Sequence, residues 1–166
     1  MSMLIPYNSN YVGRQTDIEM LQSIAQPVLL QKVTVSSVTQ TPKAVTGLEK
    51  MAQRYTVALL TYYGTVHFAQ LFGTNLLGQV LGGQVQNLAA LQGLFASSSS
   101  KAILQMQTDD VNTTTFGSIP TDEQIVSATL LDQKIDYTTA TVYLRVLLTT
   151  TAGDNIEFVV PTTIPR

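Results

Sequence analysis

The chain has no cysteine and only one histidine, His67, in 166 residues. Without thiols it has neither a disulfide framework nor a thiolate metal site, and no metal-ligand spacing of other kinds is present. Charge is scarce as well: charged residues make up 12% of the sequence, roughly half the usual share. The nine lysines and arginines are scattered and the formal charge is −2, so the basic stripe needed to hold nucleic acid is missing. Gly78, Gly82 and Gly83 lack the Lys-Ser or Lys-Thr partner of a phosphate loop. No apolar run approaches the length that spans a bilayer. Met1 to Pro6 lacks the basic region and apolar run of a signal peptide, so the expected place of synthesis and folding is a cytoplasm.

Hydrophobic residues, at 45%, suffice for a real core in one domain, with room for an arm. Thr, Ser, Gln and Asn fill the charge deficit. A neutral polar surface is poorly protected against self-association and suits a protein packed inside an assembly. An ordinary domain with a Thr-rich strand surface is the plainer alternative.

Residues 1–40 read as an arm, extended over its first fifteen residues. Asp17 makes a good N-cap for a short helix through Ile18, Leu21 and Ile24, closed by Pro27. Val28 to Val38 is β-branched and partly alternating, which predicts a strand, with a turn at Thr39 to Pro42. Residues 41–166 form the main domain. Leu48, Met51, Ala52, Tyr55 and Leu59 at helical spacing predict a helix from Gly47 to Thr61, stopped by Gly64, with Glu49, Lys50, Gln53 and Arg54 mostly outside. Leu76 to Leu81 reads as a short helix or a turn. A further helix is expected from Gln84, with Val85, Leu88, Ala89 and Phe95 on one side. A break at Ser97 to Ser100 then separates it from another at Lys101 to Gln107, and Asp109 to Pro120 reads as a loop. Ile125 to Ile135 predicts a strand. Thr141 to Thr150 is the clearest one, with Val142, Leu144, Val146 and Leu148 on one face. Ala152-Gly153-Asp154-Asn155 supplies a hairpin turn, and Ile156, Phe158 and Val160 share a face of the returning strand. Pro161 and Pro165 are expected to end the ladder. The order predicts an α+β fold, helices packed on a small mainly antiparallel sheet with a C-terminal β-hairpin.

Catalytic signatures are missing. His67 sits between Val66 and Phe68 with no nucleophile or orienting carboxylate placed near it, which reads as a buried or turn-satisfying histidine. The pairs Asp109-Asp110 and Asp122-Glu123 could suggest glycoside hydrolysis. Adjacent acids are badly placed for opposing roles, and both pairs fall in expected loops where solvated acids are normal. Tyr62, Tyr63, Phe68 and Phe72 could form a stacking platform, but no basic groove accompanies them, so a core contribution is the expected role. No enzyme activity and no cofactor are expected.

Two blocks do carry a likeness. The first is Gly47, Leu48, Lys50 and Gln53, then Leu59, Leu60, Thr61, Gly64 and Thr65, then Phe72, Gly73, Thr74 and Leu76. The second is the closing strand pair, Tyr143 to Thr150, an Ala-Gly turn, and Ile156 to Pro161. In order and spacing these resemble the baseplate wedge proteins of contractile phage tails, also called sheath initiators, and their type VI secretion relative. The likeness covers roughly residues 43–161. It implies a structural virion protein assembled in the bacterial cytoplasm, with baseplate wedge proteins, tail sheath protein and tail tube or hub proteins as partners, and neither nucleic acid nor membrane. It implies that the subunit joins the wedge to the first sheath ring and nucleates the sheath by strand pairing. On that basis Asn155, Ile156, Glu157, Phe158, Val159 and Val160 are the expected sheath contact. Thr138 to Thr141 and Thr149 to Thr151 are further stretches without charged blunting. The family carries Glu-Pro-Arg before its first C-terminal strand; here Pro120-Thr121-Asp122-Glu123-Gln124 displaces the proline and lacks the arginine. Asp122, Glu123 and Gln124 are the expected wedge contact, either rebuilt or, in a distant relative, turned to a different neighbour. Another tail adaptor or completion ring protein, and a small hydrolase, are the alternatives.

Overall fold

A computed structural model describes residues 17–18, 22–23, 28–29, 44–67, 69, 71–112, 119–136 and 141–163. Four two-residue strands come first: β1 (Asp17–Ile18), β2 (Gln22–Ser23), β3 (Val28–Leu29) and β4 (Ala44–Val45). Helices α1 (Gly47–Leu60), α2 (Leu76–Leu81) and α3 (Leu88–Asn112) follow. Strands β5 (Ile125–Asp136), β6 (Thr141–Thr150) and β7 (Asn155–Thr163) close the chain. The main sheet has the order β2-β3-β7-β6-β5, and β1 pairs with β4 in a separate two-stranded sheet. All pairs are antiparallel except β3 with β7. The fold is α+β, with the antiparallel meander β5-β6-β7 at the C-terminal end.

The core lies between one sheet face and the helices. Val142, Leu144, Val146 and Leu148 of β6 are all buried, as their alternation requires, and Phe158 and Val160 of β7 join them. Met51, Ala52, Tyr55, Ala58 and Leu59 of α1 meet this face together with Leu76 and Val80 of α2 and Leu91, Phe95, Ala102 and Met106 of α3. The Tyr55 ring stands edge-on to Phe158, centroids 6.1 Å apart. Its hydroxyl donates to Ser99 Oγ at 2.8 Å, and burial pushes the phenol well above the ordinary tyrosine range, the Ser99 bond offsetting part of that rise.

Several expectations are corrected. Residues 97–100 do not break the helix: α3 runs unbroken for 25 residues. Ser98 and Ser99 are small enough to be buried, Ser99 against Tyr55 of α1, while Ser97 and Ser100 donate back to the carbonyls of Leu94 and Ala96. α3 starts at Leu88 rather than Gln84, because the Asn87 side chain accepts from Ala90 N–H and caps it there. Leu88 and Ala89 consequently lie exposed at its first turn. The helix also includes Asp109 to Asn112, expected as loop; Asp110 accepts from Arg54 on α1, 2.5 Å away, and anchors that last turn. Asp17 begins no helix. It pairs with Val45, and its carboxylate accepts from Gln53, which is buried rather than outside. Pro161 does not end the ladder. It pairs with Tyr143, on a stretch of β7 that β3 does not reach, where a missing N–H is tolerated. α1 ends at Leu60 with Thr61 as its cap, and Gly64 lies in the following turn. Residues 1–16, 30–43, 113–118 and 137–140, together with Leu21, Ile24, Pro27, Phe68 and Pro165, lie outside the described residues.

Candidate functional site

Three places in the fold bear on function: a buried junction at Glu123, a clasp at Phe72-Gly73-Thr74, and the two edges of the sheet.

α1 opens on Gly47 at φ +62, and Thr46 before it makes no side-chain cap. The missing acceptor comes from 76 residues away. Glu123 Oε1 accepts from Gly47 N–H at 3.0 Å, while Oε2 pairs with Lys50 Nζ at 2.8 Å. A carboxylate at a helix N-terminus is favoured by the exposed N–H groups and the helix dipole. Glu123 is 1% exposed, so the expected solvated loop acid is in fact an internal cap. The turn that carries it is tied on all sides. Glu123 N–H donates to Pro120 O, the Gln124 amide side chain to Ile119 O, Thr151 N–H to Gln124 O, and Ala152 N–H to Thr121 O. Gln107 of α3 donates to Ile125 O. Of the expected wedge contact, Glu123 is therefore engaged inside its own fold, while Asp122 and Gln124 are half-buried in the surrounding turn.

Thr74 is buried and satisfies four bonds at once. Its N–H donates to Thr61 O, its hydroxyl donates to Leu59 O and accepts from Leu76 N–H, and its carbonyl accepts from Tyr63 N–H. These tie the end of α1 to the start of α2. Gly73, at φ +97, allows the approach: a Cβ there would stand 2.5 Å from the Thr61 carbonyl oxygen. Gln105 of α3 holds the other side, accepting from Gly73 N–H and donating to the carbonyls of Leu71 and Gly73. Phe72 and Leu48 pack at the margin of the core. Tyr62 is half exposed rather than core, and Tyr63 lies beneath Lys101, whose Nζ is 3.3 Å from the ring centroid. His67 is exposed in a turn.

The two sheet edges differ. Among the described residues β5 pairs with β6 alone, and its ladder is interrupted between Ile125 and Ser127 and again between Leu130 and Asp132. The skipped residues, Val126 and Leu131, stand 52% and 45% exposed. Asp132, Lys134 and Asp136 charge the rest of the strand. Bulges and charges are what natural proteins use to keep an edge from pairing. β7 is paired with β6 from Asn155 to Thr163, but on its other side, among the described residues, only Phe158 and Val159 are matched, by β3. Its one charged side chain, Glu157, is held by Arg145 on the outer face. β6 is paired on both sides, so Thr141, Thr149 and Thr150 present no edge, and Thr151 lies in the hairpin turn.

Among the described residues no three His, Asp or Glu side chains come together as a metal site, and no helix is long and apolar enough to cross a membrane. Partial desolvation raises the pKa of the Asp109 carboxyl, opposed by Arg54 and reinforced by Asp110; both acids sit in the last turns of α3. The long-range cap at Glu123 had no signal in the sequence beyond an acid before an aliphatic strand. No protein-family model, no curated protein and no solved structure matches this chain.

Proposed function

We propose that this chain is a structural subunit of a contractile-tail baseplate, one that joins the wedge to the first sheath ring and seeds the sheath by accepting a strand. The likeness of the Gly47–Leu76 block and the closing hairpin to sheath initiators suggests the assembly. The observation that carries the docking mode is the asymmetry of the sheet. β5 bears bulges and three charges, whereas β7 has an uninterrupted ladder and a single charge, already engaged by Arg145. On its outer side β7 is matched, among the described residues, over two residues only. Backbone N–H and C=O groups along Asn155 to Val160 would supply affinity, and the alternation of Ile156, Phe158 and Val160 with Glu157 and Val159 would fix register. In this reading the wedge meets the surface of the turn around Asp122 and Gln124, since the Glu123 side chain holds that turn from within.

Charging the β7 edge without touching its core face tests this. The variant Asn155→Lys with Val159→Lys is expected to fold and to enter baseplates, and to give tails whose tubes carry no attached sheath under the electron microscope. Sheath of normal length on every tube would overturn the reading.

A further inference from the structure

We infer that the chain carries its own stand-in for the incoming strand: the β2–β3 pair occupies the acceptor edge of β7 and gives way when a sheath strand docks. This rests on the strand-docking reading above. β3 matches β7 at two positions, Val28 beside Phe158 and Leu29 beside Val159, and among the described residues is backed only by the two-residue β2. β7 itself is nine residues long and is held along that length by β6. Losing β3 thus removes a short ladder while leaving β7 in place, and the fold survives the exchange. An incoming segment of about six residues would match β7 from Asn155 to Val160, where β3 matches two, so replacement adds backbone hydrogen bonds.

The geometry also specifies the newcomer. β3 runs parallel to β7, and a strand that takes its place in the same direction makes evenly spaced, slanted bonds. Positions beside Phe158 and Val160 join the core face and call for apolar side chains. Those beside Glu157 and Val159 lie on the face of the Arg145–Glu157 pair and call for neutral polar ones. The occupant is an extended, proline-free segment of the sheath protein with that alternation. Until it arrives, a filled edge guards against the pairing of subunits with each other.

The absence of native cysteine makes the test clean. The variant Leu29→Cys with Val159→Cys is expected to form a disulfide under mild oxidation, and the oxidised form to bind purified sheath protein at least roughly tenfold more weakly than the same sample after reduction, as loss of several backbone bonds requires. A second variant, Val28→Pro with Leu29→Pro, strips β3 of both amide donors and is expected to bind sheath protein several-fold more tightly than the unaltered chain. Failure of the disulfide to form would show that β3 does not sit on β7 and would overturn the inference. Equal binding by oxidised and reduced protein, or unchanged binding by the proline variant, would also overturn it while leaving the docking reading intact. Absence of binding by the unaltered chain and by every variant would remove the docking reading itself.

Discussion

Replacing Glu123 probes the junction that joins the first helix to the sheet. Two separable interactions are at stake. Oε1 caps α1 through Gly47 N–H, and caps are worth about 1 kcal/mol. Oε2 pairs with Lys50, whose side chain is 12% exposed against 1% for the acid. Removing one partner of such an enclosed pair costs about 3–5 kcal/mol, because the other charge stays behind in a site that excludes water. Glu123→Ala removes both and leaves a void, so a loss of about 4 kcal/mol is expected. For a domain of this size that corresponds to roughly 8–16 °C in Tm. Glu123→Gln keeps an oxygen for the cap and removes the charge, and its expected loss is smaller, about 1–3 kcal/mol. Glu123→Leu with Lys50→Met replaces the pair by apolar groups and should recover part of the alanine deficit, though not the cap.

Urea unfolding of the four proteins, followed by far-UV circular dichroism at about 0.1 and 1 M salt, separates the possibilities. Losses that persist at high salt fit an enclosed pair, since screening acts mainly on exposed charges. A Glu123→Ala loss below about 1 kcal/mol with an unchanged denaturant slope would refute the reasoning. So would a loss that vanished at high salt, which would place the carboxylate in water.

Gly73→Ala should destabilise by about 3 kcal/mol or more, since backbone strain at φ +97 adds to the clash with Thr61 O. Gly83→Ala, at φ +68 with open space around it, should lose only about 1 kcal/mol; equal losses in urea would show that the clasp is not tight. Tyr55 supplies the pH test. Its folded pKa lies above the ordinary 10.0, so its contribution is complete below pH 10 and declines above it, as the unfolded chain ionises first. Stability should therefore fall by up to about 1.4 kcal/mol per pH unit above pH 10 from this residue, and Tyr55→Phe should lack that part of the slope; identical alkaline slopes for the two proteins would contradict the burial of this phenol.

What could be read from the sequence follows from how far each signal reaches along the chain. The alternation of β6 and the spacing of Met51, Tyr55 and Leu59 are local patterns whose period matches the element, so both elements were legible to within a residue or two. α3 was not, because the residues it buries at mid-length are Ser98, Ser99 and Ala102. Their smallness, which lets α1 approach and Tyr55 donate to Ser99, makes the stretch look like a linker. β1 and β2 were invisible for another reason, whereas β3 opens the strand expected from Val28. Two residues carry no period, and β1 and β2 exist through partners such as Val45 and Leu29 that only the folded chain brings alongside. Of the candidate site, the motif Phe72-Gly73-Thr74 could be found but its purpose could not, since Thr61 and Gln105 become its partners only after the helices pack.

The same distinction separates what the fold holds firmly from what it leaves exchangeable. Glu123, Thr74 and Tyr55 each engage polar groups deep between elements, and removing any of them strands partners that water does not reach. The β3–β7 pair has the opposite character: few bonds, on an edge, with the β6 ladder intact behind it. In a two-state description an edge strand can be exchanged only if the state without it keeps the core closed. Phe158 and Val160 fit that condition, because they share the core cluster with the helices and are paired along the backbone with β6. A subunit built this way can stay folded while its edge changes partner. Strengthening β3 should therefore slow assembly without raising the melting temperature of the core, and a rise in both together would show that β3 belongs to the core rather than to the edge.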